Sequence, residues 1–296
     1  MSPQIAEPVS GDAFRSLCDH TFWSDLRPFE DPAFRHGDIV FCKIDEVWRL
    51  FRSLRRTRKR IVLVTGEGDK PVHAALWRRR PPHVAVWFGT NMQVRDNQAA
   101  RGLPLGLGNA RGKKTVTHDQ IRQTAELRLP RVNLLYANFS THSNEATRGS
   151  LAAWLRESSQ AWINFADHGG PGAKENYVRS LSTHQFVLCP PGNGEDTHRF
   201  WESLYCGATP VIRNSAAMSH FHDTGALFLP DLREIRPETL REFAPPLNSA
   251  PNRCLELGQW RPQFARARQS ILNRASISTV EFLLGWMREV RALLQR

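Results

Sequence analysis

Short apolar runs rich in β-branched residues alternate with helical patterns along most of this 296-residue chain, and that alternation constrains its fold most. The runs fall at 39–42, 61–65, 84–88, 133–137, 161–165, 186–189, 209–212 and 226–229. Helix-like stretches at 46–54, 74–79, 149–158, 173–182 and 197–206 lie between them. Strands that alternate with helices predict parallel sheets covered on both faces, an α/β architecture. A Gly-rich, basic loop and a short helix over 121–126 interrupt the alternation between 102 and 132. The length suits two modest domains, so the division is expected there: an N-terminal domain at 1–132 and a C-terminal domain at 133–296. Helical spacing of Val280, Leu283, Leu284, Met287 and Leu294 predicts a terminal helix packed on a core.

Such sheets bind ligands outside the carboxyl ends of their strands, so the loops after strands are where chemistry is expected. The most informative is in HQFVLCPPGNGEDTHRFWESLYCGATPVI, residues 184–212. An apolar strand runs into Pro190-Pro191-Gly192-Asn193-Gly194, which continues neither strand nor helix. Asp196 or Thr197 can cap a helix that ends at Gly207, and a second buried strand follows. Gly192 and Gly194 allow backbone N–H groups to approach a ligand, and a helix N-terminus favours an anion such as diphosphate. Arg199 in the first turn adds a guanidinium fork, His198 a hydrogen-bonding ring, and Glu202 a carboxylate suited to ribose hydroxyls. The plainer alternative is a structural turn with Arg199 paired to Glu202 on the surface. Neither GxGxxG nor GxxxxGK[ST] occurs in this run.

The run FVLCPPGNGEDTHRFWESLYCGATPVI resembles the donor-binding signature of exostosin-like glycosyltransferases, a P-x-G-x-G-x-D-x-x-R loop followed by an R-x-x-E helix. Upstream, LLYANFSTHSNEATR (134–148) resembles the strand that enters the second domain of those proteins, with Arg148 beyond it. IVLVTGEGDKPV (61–72) and VWFGTNMQVRDNQAARGLPLGLGN (86–109) resemble two of their acceptor-domain segments. The resemblance implies a GT-B-like fold of two Rossmann-like domains with a cleft between them, and a nucleotide-diphosphate-sugar donor. It implies donor contacts by Arg148, Pro190, Gly192, Asn193, Gly194, Asp196, Thr197, His198, Arg199 and Glu202, and inversion at the anomeric carbon. The acceptor is expected to be a glycan, lipid-linked or other hydroxyl compound.

Glycosyl transfer needs charge stabilisation on the leaving diphosphate and a base for the acceptor hydroxyl. No Asp-x-Asp, HExxH or Cys/His ligand spacing is present, so no metal and no cofactor are expected. Arg199, Arg148 and the helix N-terminus are then the expected stabilisers. Asp69, after the 61–65 run, is the first candidate base and Glu67 the second. An Asx-turn at Asp69 before Pro71 is the structural alternative. Trp87 and Asn91 are candidate acceptor-lining residues, with a core position the alternative for Trp87.

The net charge of +11 is concentrated in residues 1–148, which carry +9 of it, notably Arg55–Arg60 and Arg78–Arg80. Such a face favours an anionic glycan, acidic head groups or nucleic acid, or is simply solvated. No helix-turn-helix, zinc finger or ribonucleoprotein motif appears, so nucleic acid is not expected; peripheral membrane association through the basic half fits the charge. The five cysteines form no CxxC pair, no window approaches a membrane span, and no secretory signal is visible, which together predict a cytoplasmic protein. A basic nucleic-acid binder and a non-catalytic sugar-nucleotide binder remain the competing readings.

Overall fold

The computed structural model describes residues 5–24, 33–96, 98–109, 116–158, 161–166, 173–245, 249–250, 252–281 and 287. It divides into two compact units, one comprising Gly11–Leu103 and Gly258–Arg296, the other Met1–Ser10 and Pro104–Leu257. Each unit holds one five-stranded, all-parallel sheet. The α/β class with two parallel sheets is therefore as the alternation of the sequence dictates.

In the first unit the strands are β1 (His20–Phe22), β2 (Ile39–Lys43), β3 (Ile61–Gly66), β4 (Val84–Gly89) and β5 (Ala100–Gly102), in that spatial order. Helices α1 (Gly11–Ser16), α2 (Val47–Leu54) and α3 (Ala74–Arg78) belong to the same unit. Of the inner strands β3 is buried throughout and β2 and β4 at all but one residue each, because both faces are covered, the condition that parallel sheets require. One face packs on Val47, Leu50, Phe51 and Leu54 of α2, which recur at helical spacing. On the other, Phe88 meets Phe264 at 4.8 Å between ring centroids, and Phe14 meets Trp260 edge-on at 5.5 Å.

The second unit holds α4 (His118–Glu126), β6 (Asn133–Ala137), α5 (Ser150–Ser158), β7 (Ile163–Phe165), α6 (Ala173–Thr183), β8 (His184–Leu188), α7 (His198–Tyr205), β9 (Thr209–Arg213), β10 (Leu227–Leu229), α8 (Pro237–Glu242) and α9 (Asn252–Leu255). Alternate residues serve two cores: Tyr136, Val187 and Cys189 face one, Leu135, Ala137, Phe186 and Leu188 the other. Residues 104–109 and α4 pack with this sheet, through Leu107, Val116 and Ile121. The chain passes from one unit to the other at 10/11, 103/104 and 257/258, where the sequence leads one to expect a single division at 132/133.

Helix α10 (Leu257–Leu272) carries Trp260 and Phe264 into the first unit and has no counterpart in the expected elements. Pro262 lies inside it, the residue that most disfavours a helix interior. The expected terminal helix over 280–294 lies mostly outside the described residues. No described helix is long and apolar enough to cross a membrane.

Candidate functional site

The second sheet runs β10-β9-β8-β6-β7, so the chain leaves β6 toward one side, to β7, and returns on the other, at β8. Ligands of open parallel sheets bind where the order reverses, beyond the carboxyl ends of those two strands. The loop after β8 is Cys189–Thr197, the segment singled out by residue type; the loop after β6 is 138–144, leading into a π-helical turn at Glu145–Gly149.

Arg148 joins the two loops. It is buried, and its guanidinium donates from Nε to the Pro191 carbonyl at 2.9 Å and from Nη2 to the Pro190 carbonyl at 3.1 Å. Its Nη1 donates to the Ser140 carbonyl at 3.0 Å and to Ser143 Oγ at 2.5 Å. Asn144 adds a bond from Nδ2 to the Gly192 carbonyl at 2.9 Å. A Cβ on Gly192 would stand 3.0 Å from Arg148 Nη2, so glycine lets the guanidinium approach this closely. Burial, and then the charge of nearby Arg199, lower the Arg148 pKa to about 10.

Arg199 occupies the first turn of α7, half-buried beside Arg148. Neither arginine makes an ion pair among the described residues, and Arg199 Nε is buried without a hydrogen-bond acceptor. Thr197 is the N-cap, yet its side chain caps nothing: Oγ1 is buried and unbonded. Of the opening N–H groups of α7, that of Phe200 donates to the Thr197 carbonyl at 3.1 Å, and none is capped by the Thr197 side chain. The surface Arg199–Glu202 pair considered above does not form. Glu202 is 7% exposed and accepts a 2.7 Å hydrogen bond from the Tyr177 hydroxyl. Burial, and then the Glu202 charge, push the Tyr177 pKa well above its ordinary value. The Arg199 charge acts in the opposite sense on Tyr136, Tyr177 and Cys189.

Of the two acids of the loop, Glu195 is half-buried and Asp196 is bonded to Leu105 and Trp201. Asp196 is buried and turned away, accepting from the Leu105 N–H at 2.8 Å and from Trp201 Nε1 at 2.7 Å. Desolvation raises its pKa to about 7 against the hydrogen bonds that lower it. Beside it, the exposed His198 ring hydrogen-bonds the Gly106 carbonyl through Nδ1 at 2.8 Å. Asp196 and His198 therefore fasten the 104–107 loop to the start of α7. Asn193 is exposed, Gly194 buried and Pro190 buried.

The first sheet places its candidates at the carboxyl ends of β3 and β4. Glu67 and Asn91 both adopt left-handed backbone, at φ 57° and 50°. Non-glycine residues rarely do so without a surrounding structure that holds them there. The two loops are laced by Thr90 N–H to the Thr65 carbonyl and Val72 N–H to the Asn91 carbonyl, both 3.1 Å. Glu67 is half-buried and Asp69 exposed; Gly68 between them packs so closely that a Cβ would meet Ile44 Cγ2 at 2.6 Å. Asn91 is buried. Trp87 is fully buried, donates from Nε1 to Thr65 Oγ1 at 2.9 Å and packs on Phe51 and Trp77, so it is core and offers no face for stacking on a sugar.

Residue types alone miss Tyr177, Asn144 and Ser143. Their partners lie 25, 48 and 5 positions away, and only tertiary folding brings the first two to the site. Among the described residues no three His, Cys, Asp or Glu side chains are grouped to hold a metal ion.

No family profile matches the chain, and no curated protein sequence matches it. Among solved structures it is similar to α,α-trehalose 6-phosphate synthase from Burkholderia multivorans, at 13% identity over 81% of this chain and 73% of that one, with a TM-score of 0.45. It is also similar to a UDP-forming α,α-trehalose-phosphate synthase from Burkholderia xenovorans, at 11% identity, 81% and 75% coverage and a TM-score of 0.44. A third is AviGT4, a glycosyltransferase involved in avilamycin A biosynthesis, at 13% identity, 81% and 86% coverage and a TM-score of 0.43. Likeness at these scores carries no residue's role over to this chain, and the exostosin-like resemblance rests on its motifs alone.

Proposed function

We propose that the chain is a GT-B-type glycosyltransferase that takes its sugar from a nucleoside diphosphate donor bound at the reversal point of the second sheet. The observation that carries this reading is Arg199: a first-turn guanidinium beside a second arginine, with a buried unbonded Nε and no carboxylate paired to it among the described residues. A buried donor without an acceptor is costly, and a diphosphate supplies acceptors of the right charge. The unused N-cap hydroxyl of Thr197 and the N-terminus of α7 add to the same field. Glu202, one turn deeper and held by Tyr177, is a carboxylate placed to accept ribose hydroxyls.

In this reading the leaving diphosphate is stabilised by fixed positive groups, without a metal ion, and the sugar transfers with inversion. The base is a carboxylate of the β3 loop, Asp69 or Glu67, with Asn91 as a polar neighbour of the acceptor. The acceptor is a glycan or lipid-linked hydroxyl compound. The basic surface of α2 and the residues after it, where Trp48 is 43% exposed among exposed Arg49, Arg52, Arg56, Arg58 and Lys59, supports peripheral contact with an anionic membrane.

The reading is tested by thermal shift against the common nucleoside diphosphates. Stabilisation by one of them over its nucleoside is expected. No shift with any of them at millimolar concentration removes the donor site.

A further inference from the structure

We propose that Arg148 is a positioning residue and not a ligand of the diphosphate: it holds the 190–192 carbonyls inward and so turns the Asn193 N–H outward as a backbone donor beside Arg199. This refines the donor-site reading above and rests on it.

The guanidinium of Arg148 spends four of its five N–H donors on the protein, at the carbonyls of Pro190, Pro191 and Ser140 and at Ser143 Oγ. Asn144 draws in the next carbonyl, that of Gly192, while its own Oδ1 accepts from Thr147 N–H at 3.2 Å. Three consecutive carbonyls are thereby turned to one side. No peptide bond here is cis, and in a planar trans peptide the carbonyl and the following N–H point in opposite directions. Behind the Pro190 carbonyl stands Pro191, which has no N–H. Behind the Pro191 carbonyl stands the Gly192 N–H, which donates to the Gly194 carbonyl at 2.9 Å. Behind the Gly192 carbonyl stands the Asn193 N–H, and it has no acceptor among the described residues. Of the three, it alone is left for a ligand, on an exposed residue.

Arginine suits this brace and lysine does not. The acceptors lie in several directions around one planar fork, which a single ammonium cannot span. A ligand arginine differs: a lysine at its position keeps the charge and part of the affinity.

Amide hydrogen exchange on the intact chain, with inorganic pyrophosphate and with the common nucleoside diphosphates, tests the assignment. In the ligand-free protein the Asn193 amide should exchange fast and the Gly192 amide slowly. Bound ligand should slow Asn193 by about tenfold or more. Arg148→Lys and Arg148→Gln should lose affinity alike, by about tenfold to a hundredfold, with faster exchange at Gly192 in both. Arg199→Lys, by contrast, should bind measurably better than Arg199→Gln. The proposal is overturned if Arg148→Lys clearly outbinds Arg148→Gln, or if the Asn193 amide is indifferent to a ligand that binds. Should the Arg148 variants not fold, Asn144→Ala releases only the Gly192 carbonyl and should give the same exchange pattern more weakly; an unchanged loop there also overturns it. If no pyrophosphate or nucleoside diphosphate binds the wild type, the donor reading fails by itself. The brace is then judged on the ligand-free variants, where unchanged Gly192 exchange rejects it.

Discussion

Glu202 directs its carboxylate to the Tyr177 hydroxyl, at 2.7 Å, and leaves Arg199 on its own helix without an ion pair among the described residues. A hydrogen bond to a buried carboxylate contributes on the order of 1.5–3 kcal/mol, enough to hold one oxygen fixed while the other can meet a ligand. If that ligand is a ribose, the protein prefers a nucleoside diphosphate over its 2′-deoxy or 3′-deoxy analogue. Calorimetric titration should show the preference reduced about tenfold in Glu202→Gln and partly in Tyr177→Phe. An equal preference in wild type and Glu202→Gln takes Glu202 out of the site.

Asp196 gives the protein a pH-dependent stability of definite sign. Its folded-state pKa is raised to about 7 from an unfolded value near 3.8, chiefly by desolvation, with His198 the neighbouring charge that opposes the rise. Between those values the folded state binds more protons than the unfolded one, so this contribution is complete below about pH 4 and fades as pH climbs to about 7. Denaturant titrations across that range should show the decline in wild type and lose it in Asp196→Asn. At pH 8 the variant should also be weaker by about 1–3 kcal/mol, since one of the N–H donors of Leu105 and Trp201 then faces an amide NH2.

Gly106 is a stability position rather than a functional one. It sits at φ 68°, and a Cβ there would lie 2.2 Å from the Val9 carbonyl oxygen, which accepts the Leu107 N–H at 2.9 Å. Gly106→Ala should cost on the order of 2–4 kcal/mol, read from the denaturation midpoint. A neutral substitution would mean that the Val9–Leu107 contact is not formed in solution.

The base separates by kinetics. Asp69→Asn and Glu67→Gln each leave nucleotide affinity unchanged, and the one that lowers turnover by about a hundredfold or more at constant affinity identifies the base. Glu67 is held by left-handed backbone at φ 57° and Asp69 is exposed, so the two differ in how firmly they are placed. If neither substitution slows transfer, the base lies elsewhere.

Turnover should survive exhaustive chelation, because the proposed stabilisation of the leaving group comes from Arg199 and the α7 N-terminus. An absolute requirement for a divalent cation contradicts that mechanism.

Much of this architecture is legible in local pattern, because a doubly covered parallel strand must be apolar along its length. All eight expected strands occur, from β2 to β10 apart from β5. The two that escape notice, β1 and β5, read His-Thr-Phe and Ala-Arg-Gly, and neither forms an apolar run. Helix α10 escapes because Pro262 breaks its pattern while Trp260 and Phe264 still find the core. The donor loop is visible for its glycines and its R-x-x-E helix, yet the roles within it are not. Asp196 and His198 read as ligand contacts, and their bonds to the 104–107 loop do not show in the pattern because the nearness of that loop is a tertiary fact. Arg148 reads as a phosphate contact, and only the folded chain shows which carbonyls occupy its fork.

Contact between Arg199 and the diphosphate is read by titrating nucleoside and nucleoside diphosphate into wild type and Arg199→Gln. The wild type should bind the diphosphate far more tightly than the nucleoside, and Arg199→Gln, folded by circular dichroism, should lose about a hundredfold for the diphosphate and little for the nucleoside. Diphosphate affinity retained in Arg199→Gln contradicts the account.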